Sequence, residues 1–391
     1  MIILAIETSC DETAISIVEA TGDFPDATYT ILANALWSQI DVHREFGGVF
    51  PAVAKREHAA MIIPLLEKVC REANLPTNAY TPSPFPEVEA DIRTLLERET
   101  GLYDQLTTFL HEHGAPQIDY LAVTSGPGLE PALWVGVNVA KALATLWDVP
   151  VIPVNHMEGH VLASIFNCER DDQLSQITFP AISLLISGGH TELILMRNWQ
   201  QYEKIGQTRD DAVGEAYDKV ARLLGLPYPG GPEVAARAKL ARQKHLPRYA
   251  ELPSPMLHAN NLDFSFSGLK TAVRYAVAEK TLSEQEVDAV CRDFEDAVTA
   301  VLLKKASRAV AEHDATTLII GGGVSANRHL REQFNAYFLV NHPEVTVYFP
   351  APGLSTDNSI MIALAGHANV ARALSPAGAR AIRADGNRSL G

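Results

Sequence analysis

The sequence predicts an α/β protein built from two related halves, and three observations carry that expectation. Apolar, strand-like runs alternate with helical patterns along most of the chain, the order that layers helices on a sheet. A strand–polar turn–strand unit that starts at Ile2 recurs at Ala181, about 180 residues later, as a duplicated domain would place it. A chain of 391 residues, 47% of them apolar, is long for one core and sufficient for two. The first half is expected over residues 1–150 and the second over 151–391.

The chain opens on a strand, Ile2 to Ile6, then the turn Glu7-Thr8-Ser9-Cys10-Asp11-Glu12-Thr13 and a second strand, Ala14 to Val18. Such a hairpin tip presents hydroxyls and backbone N–H groups, which suit phosphate or acyl oxygens. A helical pattern covers Ala52 to Arg71. Residues 76–117 stand apart. Pro76, Pro82, Pro84 and Pro86 punctuate a linker, and Glu87 to His113 reads as one or two charged helices, a surface excursion without a catalytic constellation. A strand at Asp119 to Thr124, the turn Ser125-Gly126-Pro127-Gly128 and a buried helix from Ala132 to Trp147 follow. Val149 to Val154 is a further strand, and Asn155 is placed to cap the helix after it.

The second half repeats the hairpin: Ala181 to Leu185, the turn Ser187-Gly188-Gly189-His190-Thr191, then Glu192 to Met196. A helix from about Ala212 to Leu224 leads to the turn Pro227-Tyr228-Pro229-Gly230-Gly231-Pro232. The strand Thr317 to Ile320 runs into a glycine-rich turn, Gly321 to Asn327, and a helix from Arg328. Leu354 to Asn358 opens a last apolar helix, expected to lie on the first half.

Composition narrows the function classes. No apolar stretch reaches the 18 or more residues of a membrane span, and no basic leader opens the chain. Four cysteines lie far apart without a C-x-x-C pair, which suits a reduced, cytoplasmic protein. The formal charge of −15 argues against free-standing nucleic-acid binding, because phosphate neutralisation supplies most of that affinity. The densest basic run is Arg237, Lys239, Arg242, Lys244 and Arg248, a pattern that a solvated helix face also gives.

The most informative local pattern is His156-Met157-Glu158-Gly159-His160. A spacing of i, i+4 puts both imidazoles on one helix face, where they can share a metal ion; ordinary polar residues at a helix start would look the same. Glu158 sits at the wrong offset for a zinc-protease helix. Two histidines leave a metal short of donors, and a carboxylate is the natural third. Asp357 is either that ligand or a plain acid at a helix start. The glycines of 321–323 allow close approach of an anion to a helix N-terminus, without matching a Rossmann or Walker pattern. Asn327 there is a cap or a base contact. Glu215, Asp218 and Lys219 share a helix face, so Asp218 can take ribose hydroxyls beside Gly231, while Glu215 and Lys219 can simply pair. Lys270, in Phe264-Ser265-Phe266-Ser267-Gly268-Leu269-Lys270, faces phosphate or solvent.

The runs IETSCDET, HREFGGVFPAVAKREH, SGPGL, NHMEGH, SGGHTEL, DDAVGEAYDKVARLLGLPYPGGP, FSFSGLKTAV, GGGVSANRHLRE and STDN occur in the order seen in the TsaD family, which the chain closely resembles. These are the tRNA adenosine threonylcarbamoyltransferases. The resemblance spans the chain apart from 76–117 and the tail beyond about 370. It implies an actin-like, Hsp70-like ATPase fold of two ribonuclease H-like halves flanking a nucleotide cleft. It implies transfer of threonylcarbamoyl from threonylcarbamoyl-adenylate to the exocyclic amine of the adenosine 3′ of the anticodon. A metal, iron above all and zinc as the alternative, falls to His156, His160 and Asp357. The substrate positions fall on Leu185, Ile186, Ser187, Gly188, Gly189, Asp218, Gly231 and Asn327, and the acidic pair beside the acyl group on Asp11 and Glu12.

That chemistry suits the residues. The adenylate is an activated mixed anhydride, so positioning and charge stabilisation matter more than a protein nucleophile. Asp11 or Glu12 can accept the proton of the attacking amine. Cys10 has no activating neighbour in sequence for a thioester route. The implied partners are tRNA, a TsaB-like subunit and a TsaE-like ATPase. The competing readings are a small-molecule kinase or ATPase of the same fold, an inert scaffold and a peptidase. The first leaves the histidine pair unexplained, the second expects eroded sites, and the third lacks a nucleophile.

Overall fold

A computed structural model describes residues 1–79, 86–257, 259–278 and 280–391. Pro82 and Pro84 of the expected linker lie outside the described residues. The chain divides into two compact units. The first comprises residues 1–42, 49–175 and 357–389, and the second 43–48, 176–356 and 390–391.

In the first unit, strands β1 (Ile2–Glu7), β2 (Glu12–Thr21) and β3 (Thr28–Ser38) form an antiparallel meander. A short ribbon of β4 (Thr77–Asn78) and β5 (Ala115–Pro116) closes the base of the insertion. Strands β6 (Tyr120–Gly126) and β7 (Val151–Asn155) then extend the main sheet in parallel, giving the order β3-β2-β1-β6-β7. The central strand β1 is almost wholly apolar because helices cover both of its faces, whereas β3 at the edge alternates buried and exposed residues.

Helices Pro51–Ala73 and Glu130–Trp147 share one core with the sheet. Helices His156–Ile165 and Ser359–Ala368 pack together, and the latter lies on β1, β2 and β6. The boundary expected at residue 150 therefore moves. Strand β7 and the helix after it complete the first sheet and its layer, and the chain leaves this unit only after Ser175.

The insertion is more than a surface excursion. Its helices Pro86–Leu96 and Leu102–His113 bury Ile92, Leu96, Leu102, Leu106, Phe109 and Leu110 in the core of the first unit. A charged outer face hid an apolar one at helical spacing.

The second unit repeats the plan. Strands β8 (Ala181–Ile186), β9 (Thr191–Asn198), β10 (Gln201–Gln207), β11 (Thr317–Gly321) and β12 (Thr346–Tyr348) run in the order β10-β9-β8-β11-β12. Counted within each sheet, both orders are 3-2-1-4-5, with the first two pairings antiparallel and the last two parallel. That identity of topology is what the repeated hairpin foretold. The helix Glu284–Glu312, opened by a Ser283–Glu286 capping box, and the buried rings of Tyr217, Phe264, Phe266, Phe294, Phe334 and Phe338 fill the second core.

Candidate functional site

In the first unit, β7 ends at Asn155, whose side chain accepts a hydrogen bond from the N–H of Met157 at 2.9 Å. This cap fixes the start of the helix His156–Ile165 and so places both histidines on one face, with ring centroids 4.7 Å apart. Asp357 arrives just before the helix Ser359–Ala368. Its Oδ1 lies 3.3 Å from His156 Nε2 and 3.2 Å from His160 Nε2. One donor atom from each of the three residues lies within 4.8 Å of the others.

Both histidines are buried, and neither ring nitrogen of His160 has a hydrogen-bond partner among the described residues. Buried unpaired polar atoms are costly, and a divalent ion on Nε2 relieves one of them. Two imidazoles and a carboxylate form a donor set that suits iron or zinc.

Behind His156 stands Glu7, the last residue of β1. Its Oε2 lies 3.0 Å from His156 Nδ1 and accepts the Thr124 hydroxyl at 2.6 Å, while its Oε1 accepts the Ser9 N–H at 2.5 Å. A carboxylate on the far nitrogen orients a metal-ligating imidazole and leaves Nε2 as the donor. Burial pushes the Glu7 and Asp357 carboxyls up, but the neighbouring imidazoles outweigh it and hold both below the ordinary carboxylate range. Burial also opposes the charge on His156, yet Asp357 and Glu7 raise its pKa well above the usual value; burial lowers that of His160. Sequence reasoning missed Glu7. The available signal was an acid ending an otherwise apolar strand. Glu158 is tied elsewhere, its Oε2 accepting from Asn369 Nδ2 at 2.8 Å.

The acidic turn is fastened by His58, whose Nδ1 lies 2.8 Å from Thr13 Oγ1 and whose Nε2 lies 3.0 Å from the Cys10 carbonyl. Asp11 is buried. Burial, then Asp11 and Asp357, push the Glu12 carboxyl well above its ordinary value, which favours its protonated form. Burial and the same acids push the Cys10 thiol up as well, which removes the thiolate that a thioester route needs.

In the second unit Leu185 and Ile186 end β8 and Ser187, Gly188 and Gly189 follow it, with Leu185 paired to Gly321 of β11, while Asp218 and Gly231 lie on the helices Val213–Leu223 and Gly230–Gln243. Gly322 has φ +88°, and a Cβ there would stand 2.5 Å from the Ile186 carbonyl oxygen, so only glycine lets the two turns touch. Ser187 closes its own turn, accepting at Oγ the N–H of His190 at 3.1 Å. Cβ atoms added at Gly188, Gly189, Gly231 or Gly323 would meet nothing within 4 Å, which leaves backbone open to a ligand. Asp218 Oδ1 accepts the Gly230 N–H at 2.7 Å. Asn327 is a cap, accepting the Leu330 N–H at 2.9 Å, and its amide donates to Glu295 at 2.6 Å.

Other expectations in this unit take their plainer form. Lys219 pairs with Glu215 at 2.8 Å and Asp211 at 2.7 Å. Arg237 and Lys244 pair with buried Asp288, and Arg242 with Glu295 and Asp296, so the basic run is matched by an acidic helix face. Asp210 binds the hydroxyls of Ser265 and Ser267 and the N–H groups of Phe266 and Ser267, fixing the serine-rich turn that opens the helix Ser267–Val277, on which Lys270 lies.

The sequence profile of the tRNA N6-adenosine threonylcarbamoyltransferase family TsaD matches residues 30–81 and 105–364. The chain is 40% identical over 371 residues to a tRNA N6-adenosine threonylcarbamoyltransferase of Ralstonia pickettii, covering 94% of this chain and 90% of that protein. The chain belongs to the TsaD family. A second member, from Thermomicrobium roseum, is 38% identical over 385 residues, covering 93% of this chain and 90% of its own length. Among solved structures, HypF of T. kodakarensis matches with a TM-score of 0.50 at 12% identity, over 70% of this chain and 44% of that one. That likeness concerns the fold alone. With the two 3-2-1-4-5 sheets, it identifies the actin-like ATPase class of two ribonuclease H-like halves. The TsaD profile passes over residues 82–104, within the insertion, and stops before the tail.

Proposed function

We propose that this TsaD protein transfers threonylcarbamoyl from threonylcarbamoyl-adenylate to the exocyclic N6 amine of the adenosine 3′ of the anticodon, in tRNAs reading codons that begin with A. The observation that carries the reading is the gathering of His156, His160 and Asp357 in a buried centre whose aspartate also acts on Glu12 of the acidic turn. A small-molecule kinase or ATPase of the same fold has no use for that centre.

The amine nitrogen attacks the carbamoyl carbon, the N–C bond forms, the anhydride C–O bond breaks and AMP leaves. Asp11 or Glu12, the acidic pair of the turn, receives the proton released by the amine. A metal held by His156, His160 and Asp357, iron or zinc, would supply Lewis acidity toward the acyl oxygens. Glu7 keeps His156 oriented. The open backbone at Gly188, Gly189 and Gly231 admits the adenylate, and Leu185, Ile186 and Ser187 shape the strand end beneath it. Asp218 faces a ribose while anchoring Gly230, and Asn327 acts through the helix start it caps.

No helix among the described residues is long and apolar enough to cross a membrane, and the proposed setting is the cytoplasm. The proposed partners are tRNA, a TsaB-like subunit and a TsaE-like ATPase. With Arg237, Arg242 and Lys244 of its main basic run paired internally, the chain shares RNA binding with them. Mass spectrometry of tRNA nucleosides, after mixing the protein with these partners, donor and unmodified tRNA, should show threonylcarbamoyladenosine; its absence overturns the reading.

Asp218→Asn keeps the shape of the side chain and removes its charge. It should weaken AMP binding by about 1.5–3 kcal/mol, the range for a hydrogen bond to a charged group. Unchanged affinity by calorimetry would remove Asp218 from the nucleotide site.

A further inference from the structure

The last residues of the first unit form a turn, Asp385 to Ser389, closed by the Arg388 N–H on the Asp385 carbonyl at 3.2 Å and the Asn387 N–H on Asp385 Oδ1 at 3.0 Å. Four hydrogen bonds tie it to the ends of β6 and β7. The Asp385 N–H donates to the Ser125 carbonyl at 2.9 Å, and the Gly128 N–H to the Gly386 carbonyl at 3.2 Å. Arg388 Nη1 donates to Ser125 Oγ, and Asn155 Nδ2 to the Ser389 carbonyl at 3.0 Å. Two glycines make the fit possible. A Cβ on Gly126 would collide with the Asp385 carbonyl, and one on Gly386 would stand 2.7 Å from the Gly128 carbonyl oxygen.

The residues that this turn grips connect to the histidine–aspartate centre through short chains of contacts. Ser125 Oγ donates to the Val154 carbonyl at 3.2 Å, at the end of the strand that delivers His156. Asn155 is the cap of the helix carrying both histidines. Leu129 N–H donates to the Ser9 carbonyl at 2.7 Å, and Ser9 Oγ lies 3.1 Å from His156 Nδ1. We infer that Asp385–Ser389 is a positioning strap that sets the angle of the His156–His160 helix, with Arg388 as its principal clasp. It requires no contact between the strap and the metal. A ligand helix whose first turn can shift presents its donors less well, as loss of outer-shell partners shows elsewhere.

The inference rests on the metal reading above, and the test separates the two. Full-length apo protein is titrated with Co²⁺, following affinity and the visible absorption of the bound ion, with circular dichroism as a check on folding. Arg388→Ala should bind Co²⁺ about tenfold more weakly, with an altered absorption envelope and an unchanged dichroism spectrum. Arg388→Lys, which keeps a donor for Ser125, should recover most of the affinity. Gly386→Ala lifts the strap with a single methyl and should behave like Arg388→Ala, so the test survives if one variant misfolds. Wild-type affinity and spectrum in either folded variant would overturn the strap, while loss of Co²⁺ in His160→Ala would leave the metal reading standing. If His160→Ala binds Co²⁺ as wild type does, the metal reading fails and the strap falls with it.

Discussion

Full-length protein carrying His160→Ala emerges from reconstitution with iron or zinc far below one metal per chain. His160 supplies one of three donors, and outer-shell losses alone cost about 10–100-fold in metal affinity, so losing a direct donor should cost more. The variant should nonetheless fold, because the buried Nδ1 it removes has no hydrogen-bond partner among the described residues and Nε2 meets only the Asp357 carboxylate at 3.2 Å. Taking away an unsatisfied polar group offsets part of the lost packing. Elemental analysis against dichroism reads the two effects apart, and stoichiometric metal in His160→Ala would end the assignment. A pH dependence accompanies it. In the metal-free protein burial opposes the charge on His156, but Asp357 and Glu7 raise its pKa well above the usual value, so metal and proton compete for the ring. Affinity should therefore rise with pH up to that elevated value, with proton release seen as a buffer-dependent heat of binding.

Replacing residues 86–113 by a short Gly/Ser link should unfold or strongly destabilise the first unit. The insertion contributes Leu96, Leu102, Leu106, Phe109 and Leu110 to the same core as Ile62, Leu66 and Val135. A single Leu→Ala change in such a core costs about 2–5 kcal/mol, and a domain has only about 5–15 kcal/mol in total. Loop length itself is cheap, so a purely superficial insertion would have been removable. Leu106→Ala is the graded version and should lower the thermal midpoint by several degrees. An unchanged midpoint for the excised protein would show that the rest of the core closes without these helices.

The insertion also marks where the sequence was hardest to interpret. Its apolar residues lie on one stripe between charged ones, and the proline-rich approach drew attention to the charged face. The paired hairpins were legible because turn chemistry and apolar runs are local. So was the His156–His160 pair, since one helix turn fixes it. Glu7, Thr124 and His58 were not, because their roles arise across sheet neighbours and a helix far away in sequence. Asn327 offered two outcomes, cap or base contact, and only the position of Glu295 shows that its amide is already engaged. The domain boundary failed for a related reason: β7 looks like the start of something new until β6 is seen beside it.

Apart from the short break at residues 43–48, the first unit is written in two instalments, with residues 176–356 between them. A ribosome working at about 5–20 residues per second needs roughly 10–40 s to cross that interval. Throughout it, the nascent chain exposes the face of β1, β2 and β6 that the helix Ser359–Ala368 will cover. The second unit can finish folding while the first still waits for its closing layer. Asp357 emerges at the start of that closing layer, so the proposed ion site comes into being only as the sheet is sealed. A polypeptide halted before Asp357 retains both histidines but lacks the carboxylate of the proposed three-donor centre.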